Sequence, residues 1–270
     1  MTRPGSEAVV AAVLGWPIGH TLSPAMHNAA LGAAKLPGRY AAFAVAPENL
    51  PAALSGLPAL GLCGCNLTVP HKEAALPQMH TLSDEARLIG AVNTVSFVDG
   101  ARHGDNTDAR GLVRALEEAG LTLTGRRVLV IGGGGAAKAA VVGLARAGAA
   151  EVRVATRRPA QAEALTTALS AQLPAGLGAL SLTDQPALRQ ACAGSDLLVQ
   201  ATSATLQPDS AAALATQLPL DAMPAGAAVV DLVYRPRQTA VLAKARAAGL
   251  VAVDGLGMLL HQGALAFERW

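Results

Sequence analysis

The chain has 270 residues, enough for one large or two ordinary domains and, either way, for a sizeable buried core. Apolar residues make up 51% and charged residues only 15%, which excludes a disordered tail, and a net charge of +2 from scattered Lys and Arg leaves no nucleic-acid surface to propose. No apolar run reaches the roughly eighteen residues of a membrane span, and Met1-Thr-Arg-Pro-Gly-Ser-Glu7 precedes only a strand-length apolar run, so no signal segment is read and a cytosolic location is the default expectation.

In chain order, Val9 to Leu14 reads as an opening strand, and Gly15-Trp-Pro-Ile-Gly-His-Thr-Leu-Ser-Pro24 as a loop whose glycines, prolines and hydroxyls suit binding. Ser23 before Pro24 suits an N-cap, with Ala25 to Lys35 continuing as helix, so Ser23 is either a cap or a binding hydroxyl. Tyr40 to Val45 is a second strand, Pro47 to Leu54 is helical, and Leu60 to Leu67 is a third strand, the alternation of an α/β layer. Cys63 and Cys65 within that run are expected on one face as buried thiols. Three cysteines cannot all pair, no CxxC spacing occurs, and dispersed histidines without HExxH support no metal site.

Asn66-Leu-Thr-Val-Pro-His-Lys-Glu73 then leaves a strand end with an amide, a hydroxyl and a lysine around a proline, a set able to converge on one small pocket. A lysine there either faces solvent or serves a site, and the residues alone leave both readings of Lys72 open. Ser83 to Leu88 is a short helix, Gly90-Ala-Val-Asn-Thr94 enters a strand running to Val98, and Asp99-Gly100 is a hairpin turn into a strand ending at Gly104. Gly104-Asp-Asn-Thr-Asp108 is too polar for a core and opens a helix. Asp108 is either a charge at a helix N-terminus or a functional carboxylate.

Val128 to Ile131 is a continuous aliphatic run, as in a parallel strand buried on both faces, and it ends in Gly132-Gly-Gly-Gly-Ala136. Gly132-x-Gly134-x-x-Ala137 fits the dinucleotide fingerprint: one glycine turns the chain, one admits the pyrophosphate, and a small residue packs helix on strand. A run of four glycines can also be a flexible turn, but an alanine-rich helix follows to Ala147, and Glu151 to Thr156 is a second strand, which completes a βαβ unit. The chain continues as a helix (160–169), a weaker strand (177–182), another helix, buried strands in Asp196-Leu-Leu-Val-Gln-Ala-Thr-Ser203 and Ala227 to Tyr234, a helix (239–248), a strand (251–253) and a closing helix to Phe267. Gln262 is alone there among apolar neighbours. The fold expected is α/β: a unit of residues 1–107, a doubly wound Rossmann-type unit of 108–254, a last helix (255–270) returning to the first unit, and the site in a cleft.

Taken together, Gly15 to Pro24, Asn66 to Lys72, Gly90 to Thr94, Gly104 to Asp108, the glycine loop, Ala201-Thr-Ser203 and Asp254-Gly-Leu-Gly-Met258 with Gln262 give the chain a resemblance, along its whole length, to the shikimate dehydrogenase family. What the resemblance implies is reversible NADP-dependent reduction of 3-dehydroshikimate to shikimate, on the route to aromatic amino acids. By position, Lys72 is similar to the family's catalytic lysine and Asp108 to the aspartate beside it. Ser23, Asn66, Thr68, Asn93, Tyr234 and Gln262 match substrate-binding positions, as does Thr21, where the family usually has serine. The implied cofactor positions are Gly132, Gly133, Gly134, Gly135, Ala136, Thr156, Arg157, Arg158, Thr202, Ser203, Gly255 and Met258. The implied partner is a small-molecule substrate, with the chain a monomer or homodimer.

Three departures accompany the resemblance. The methyl of Thr21 bears on tolerance of quinate. Thr156-Arg157-Arg158-Pro-Ala-Gln161 stands where Asn-Arg-Thr-x-x-Arg is usual, so one arginine is kept, one gained and one lost. No acid follows the strand to hold a ribose 2′-hydroxyl, and the arginines favour a 2′-phosphate. Gln200 replaces a usual asparagine, with no explanation from sequence. A quinate or dual-specificity dehydrogenase and a non-catalytic shikimate-sensing relative are the competing readings, but the sensing relative predicts loss of Lys72 or Asp108, or an added DNA-binding segment, and neither is seen.

Overall fold

The computed structural model describes residues 8–19 and 21–270; the readings made of Met1 to Glu7, and of His20 within the first loop, lie outside the described residues. The chain divides into two compact units, one of the described residues up to Thr107 with Gln262–Trp270, the other Asp108–His261.

The first unit is built on β1 (Val9–Gly15), α1 (Ser23–Ala33), β2 (Gly38–Ala44), α2 (Leu50–Gly56), β3 (Gly64–Leu67), α3 (His71–Ala74), β4 (Thr81–Leu82), α4 (Asp84–Ile89), β5 (Thr94–Val98) and β6 (Ala101–Asp105). Its sheet runs β2-β1-β3-β5-β6-β4, with β1 parallel to both β2 and β3, while β3, β5 and β6 pair antiparallel. The antiparallel β5–β6 pair is closed at Asp99 (φ 49°) and Gly100 (φ 77°), the two left-handed residues that a tight hairpin turn demands. Alternation along β1 sends Ala12 and Leu14 into a cluster with Leu50, Leu54, Leu67 and Val95, and Ala11 and Val13 into a second one with Ile18 and Tyr40.

Several elements differ from the sequence expectation for local reasons. The third strand covers only Gly64–Leu67, because Gly61 (φ 81°) ends a 3₁₀ turn at Leu57–Leu60 and Leu62 N–H closes back on the Leu57 carbonyl. Cys63 therefore precedes the strand, and the two cysteines do not share a face: Cys65 joins the cluster of Ala12 and Leu14, and Cys63 that of Ala11 and Val13. Both are buried free thiols, and burial pushes the Cys65 thiol far up. Ser23 is not a cap; α1 begins at Ser23 itself, after Leu22, with Pro24 in its first turn. In α4 the expectation of a helix start holds, and Ser83 Oγ accepts from Ala86 N–H at 3.1 Å.

The second unit comprises α5 (Asp108–Glu118), β7 (Arg127–Ile131), α6 (Gly135–Arg146), β8 (Glu151–Thr156), α7 (Pro159–Ser170), β9 (Gly176–Ser181), α8 (Gln185–Ala193), β10 (Leu197–Gln200), α9 (Pro208–Gln217), β11 (Ala228–Asp231), α10 (Ala240–Ala247) and β12 (Val251–Val253). The closing helix, α11 (Leu256–Arg269), spans the division between units. Every pairing in the second sheet is parallel and the order is β12-β11-β10-β7-β8-β9, the doubly wound Rossmann arrangement with its reversal between β7 and β10. Val128 to Ile131 are fully buried, as a strand covered on both faces requires. Sequence reading missed α9, whose polar Pro-Asp-Ser start resembles a loop, and overextended β11, which stops at Asp231 instead of Tyr234. Gly143 of α6 lets that helix pack closely on α5: a Cβ there would lie 2.8 Å from the Ala109 carbonyl oxygen.

Candidate active site

In the first unit, the predicted substrate residues gather where β1 and β3 end and β5 begins. Thr68 N–H donates to the Leu14 carbonyl at 3.0 Å, and a Cβ on Gly15 would lie 2.5 Å from Thr68 Cγ2, so glycine alone permits this approach. Thr21 Oγ1 donates to Ser23 Oγ at 3.2 Å and accepts from Ser23 N–H, which fixes the two hydroxyls as a pair. Lys72 follows on α3, half-buried, its carbonyl accepting from Val92 N–H at 2.8 Å.

Asn66 and Asn93 are buried polar side chains in one network. Asn66 Oδ1 accepts from Tyr40 OH at 2.7 Å, and its Nδ2 donates to the Asn93 carbonyl and to Thr94 Oγ1, both at 3.1 Å. Asn93 Oδ1 accepts from Thr107 N–H and Thr94 Oγ1, each at 2.8 Å, while its Nδ2 reaches Thr107 Oγ1 at 2.9 Å and Gln262 Oε1 at 3.4 Å. Gln262 of α11 is thus brought to Asn93. Asp105 supports the segment before Asp108, accepting from Ser83 Oγ and pairing with Arg269 at 2.5 Å. Behind Tyr40 stands His27, stacked on the phenol ring with centroids 4.1 Å apart, and burial pushes its imidazole down to about 4. Burial likewise raises the Tyr40 phenol far above its ordinary value, and both rings are neutral. Tyr40, Thr94, Thr107 and His27 were not found from sequence; a lone tyrosine in a strand reads as core, and only tertiary pairing reveals its hydroxyl's task.

In the second unit, Asp108 opens α5 as a buried first-turn carboxylate. The glycine loop leaves β7 at the topological switch. Gly132 has φ 125°, and a Cβ there would meet Thr202 Cγ2 at 3.0 Å, so the loop lies against the segment that follows β10. Gly134 is the N-cap of α6, with no capping side chain and no acid in the first turn, and nothing lies within 4 Å of where its Cβ would be. Bare helix N–H groups with free approach suit an anionic pyrophosphate. Gly133 is held by Gln161, whose Nε2 donates to the Gly133 carbonyl at 3.1 Å.

At the end of β8, buried Thr156 donates its hydroxyl to the Arg158 carbonyl at 2.7 Å, and Arg157 and Arg158 are exposed beside it. A cationic pair without a neighbouring acid suits a 2′-phosphate better than a free 2′-hydroxyl. Thr202 caps the Ser203–Leu206 turn, accepting from Ala204 N–H at 3.2 Å. Tyr234 is half-buried in the segment after β11. Gly255 packs where a Cβ would lie 2.3 Å from the Leu232 carbonyl oxygen, and Met258 is buried on α11. Among the described residues no group of His, Cys, Asp or Glu is arranged to hold a metal ion. Nor is any described helix long and apolar enough to cross a membrane.

Residues 13–95 match the model of the shikimate dehydrogenase substrate binding domain, and residues 128–253 that of the saccharopine dehydrogenase NADP binding domain. A shikimate dehydrogenase (NADP(+)) of Citrifermentans bemidjiense is 45% identical over 262 residues, covering 97% of this chain and 89% of the relative. The chain belongs to the shikimate dehydrogenase family. A solved shikimate 5-dehydrogenase of Listeria monocytogenes, in complex with shikimate and NAD, superposes with a TM-score of 0.89 at 34% identity, covering 100% of this chain and 94% of that one. The 5-ketofructose reductase of Gluconobacter sp. strain CHM43 superposes with a TM-score of 0.85 at 32% identity, covering 98% and 94%. Both have this fold, although their names carry different substrates.

Proposed function

We propose that this chain catalyses the reversible NADP-dependent reduction of 3-dehydroshikimate to shikimate in aromatic amino-acid biosynthesis, with Lys72 and Asp108 as the acid–base pair. The observation that carries the reading is the 45% identity, over nearly the whole chain, to a relative named for this activity and this cofactor. The donor set of the second unit supports it. Gly132, Gly133, Gly134, Gly135 and Ala136 would hold the pyrophosphate, Thr156, Arg157 and Arg158 the 2′-phosphate, and Thr202, Ser203, Gly255 and Met258 the remainder. Bound NADPH supplies the hydride. Lys72 gives a proton to the carbonyl oxygen, and Asp108 orients the lysine and the adjoining hydroxyl. Thr21 and Ser23, a hydroxyl pair, bind the substrate carboxylate, while Asn66, Thr68, Asn93, Tyr234 and Gln262 bind the ring hydroxyls and the carbonyl. Sites built to bond each hydroxyl reject analogues lacking one. The reading is of a cytoplasmic enzyme, monomer or homodimer, with residues 1–107 and 255–270 as the substrate domain and 108–254 as the cofactor domain.

The test is initial-rate oxidation of shikimate and of quinate, each with NADP and with NAD. Shikimate with NADP as the dominant pair is expected. Dominance of quinate, the alternative that Thr21 motivates, makes the chain a quinate or dual dehydrogenase, and shikimate binding without turnover makes it a sensor.

A further inference from the structure

β10 and β11 are adjacent parallel strands whose last residues, Gln200 and Asp231, stand opposite one another, and both side chains are fully buried. Gln200 Oε1 accepts from Thr202 N–H at 2.5 Å, and its Nε2 lies 2.9 Å from Thr205 Oγ1, 3.1 Å from the Thr202 carbonyl and 3.1 Å from Asp231 Oδ1. Asp231 Oδ1 also accepts from Thr205 Oγ1 and Val233 N–H, each at 3.0 Å, and its Oδ2 accepts from Thr239 Oγ1 at 2.8 Å. One carboxylate therefore ties together two loops that leave different strands: 201–206, through Thr205, and 232–239, through Val233 and Thr239.

A carboxylate in such a place is costly. Burial raises its pKa, and hydrogen bonds from Val233, Thr239, Thr205 and Gln200 oppose that rise. Apolar residues of similar volume often serve stability as well as buried charge does, so the arrangement points to a purpose beyond packing. The two loops carry Thr202 and Ser203 on one side and Tyr234 on the other. The extra methylene of Gln200, relative to asparagine, lets one amide grip its own loop and Asp231 together.

We propose that Gln200 and Asp231 are positioning residues that hold the Thr202–Ser203 loop and the Tyr234 segment in one register, so that loosening either loop displaces the other. The proposal rests on the reading of Thr202 and Ser203 as cofactor contacts and of Tyr234 as a substrate contact.

The decisive variant is Thr205→Val, nearly isosteric, which removes the direct bond from the first loop to Asp231, leaves only the indirect tie through Gln200, and keeps the carboxylate and the second loop. NADP dissociation constants from calorimetry without substrate, KM for shikimate, kcat and Tm are measured together. T205V should weaken NADP binding and raise KM for shikimate together, each about tenfold, the low end of the weight of a hydrogen bond to a charged group. T205S, which restores the hydroxyl, should return both. D231N should move both in the same direction, and if it folds poorly T205V decides alone. A change in NADP binding with shikimate KM unmoved, or a lower Tm with both unmoved, overturns the proposal. Hydrogen exchange on the free chain reads the same coupling with no substrate: T205V should speed exchange at the Leu232 and Val233 amides, and unchanged exchange there also overturns it. Wild-type protein that does not oxidise shikimate would sink the functional reading instead, and the exchange result would still judge the coupling.

Discussion

Replacing Tyr40 with phenylalanine deletes one hydroxyl and leaves the ring stacked on His27. That hydroxyl donates to Asn66 Oδ1 at 2.7 Å between side chains only 3% and 6% exposed. The other bonds of Asn66 leave from Nδ2 and run to Asn93 and Thr94, so the amide cannot flip without losing both. The variant therefore strands a buried acceptor, which costs about 1–3 kcal/mol, more than the roughly 1 kcal/mol of an average hydrogen bond, because the desolvation of Oδ1 is no longer compensated. Urea unfolding followed by tryptophan fluorescence suits the measurement, since the two tryptophans, Trp16 and Trp270, both belong to the first unit. With a slope of about 2 kcal/mol/M, usual for small domains, the midpoint should fall by roughly 0.5–1.5 M, while far-ultraviolet circular dichroism follows both units. A fluorescence midpoint that moves by less than about 0.2 M would refute the argument, by showing that Oδ1 finds another donor.

Lys72→Ala should lower kcat by roughly 10²–10⁴-fold, the weight of general acid–base catalysis, with a smaller change in KM for shikimate; an unchanged kcat with a raised KM would make Lys72 a binding residue only. Replacing Arg157 and Arg158 together by alanine should raise KM for NADPH by one to two decades, at about 1.5–3 kcal/mol for a charged hydrogen bond, and leave KM for NADH nearly unchanged. Equal effects on both cofactors would remove the 2′-phosphate argument. Burial pushes the imidazole of His27 down to about 4 in the folded chain, from about 6.5 for an ordinary histidine, so the unfolded chain binds the extra proton between those values. Stability is then full above pH 6.5 and falls, by about 1.4 kcal/mol per pH unit, as pH drops toward 4. His27→Phe, which also removes the unpartnered buried Nε2, should flatten that slope by up to one proton, and an identical slope in denaturant titrations at pH 7 and 5 would show that another group carries it.

Much of the architecture was legible because local chemistry repeats a known physical logic. The β-branched run before Gly132 reads as a doubly covered strand, and Asp99-Gly100 turns as its left-handed preference requires. Other elements misled for equally local reasons. Leu60 to Cys63 is apolar enough for a strand, yet Gly61 spends its left-handed freedom closing a helical turn, and the register that follows puts Cys63 and Cys65 in different clusters. The polar start of α9 hid a helix whose Ala211, Leu214 and Ala215 are buried.

Composition and motif order alone determined that the chain is a two-part α/β protein and singled out the polar side chains proposed for its site. Only the tertiary structure decided how those side chains are held. Tyr40 reaches Asn66, Asn93 reaches Gln262, and Gln200 and Asp231 grip Thr205 and Thr239, pairs separated in sequence by anything from five residues to well over a hundred. Periodicity and propensity report what a residue does to its own backbone. A buried hydrogen bond between distant side chains has no such local signal, because its partners are chosen by strand order and register, and these exist only once the sheets have formed.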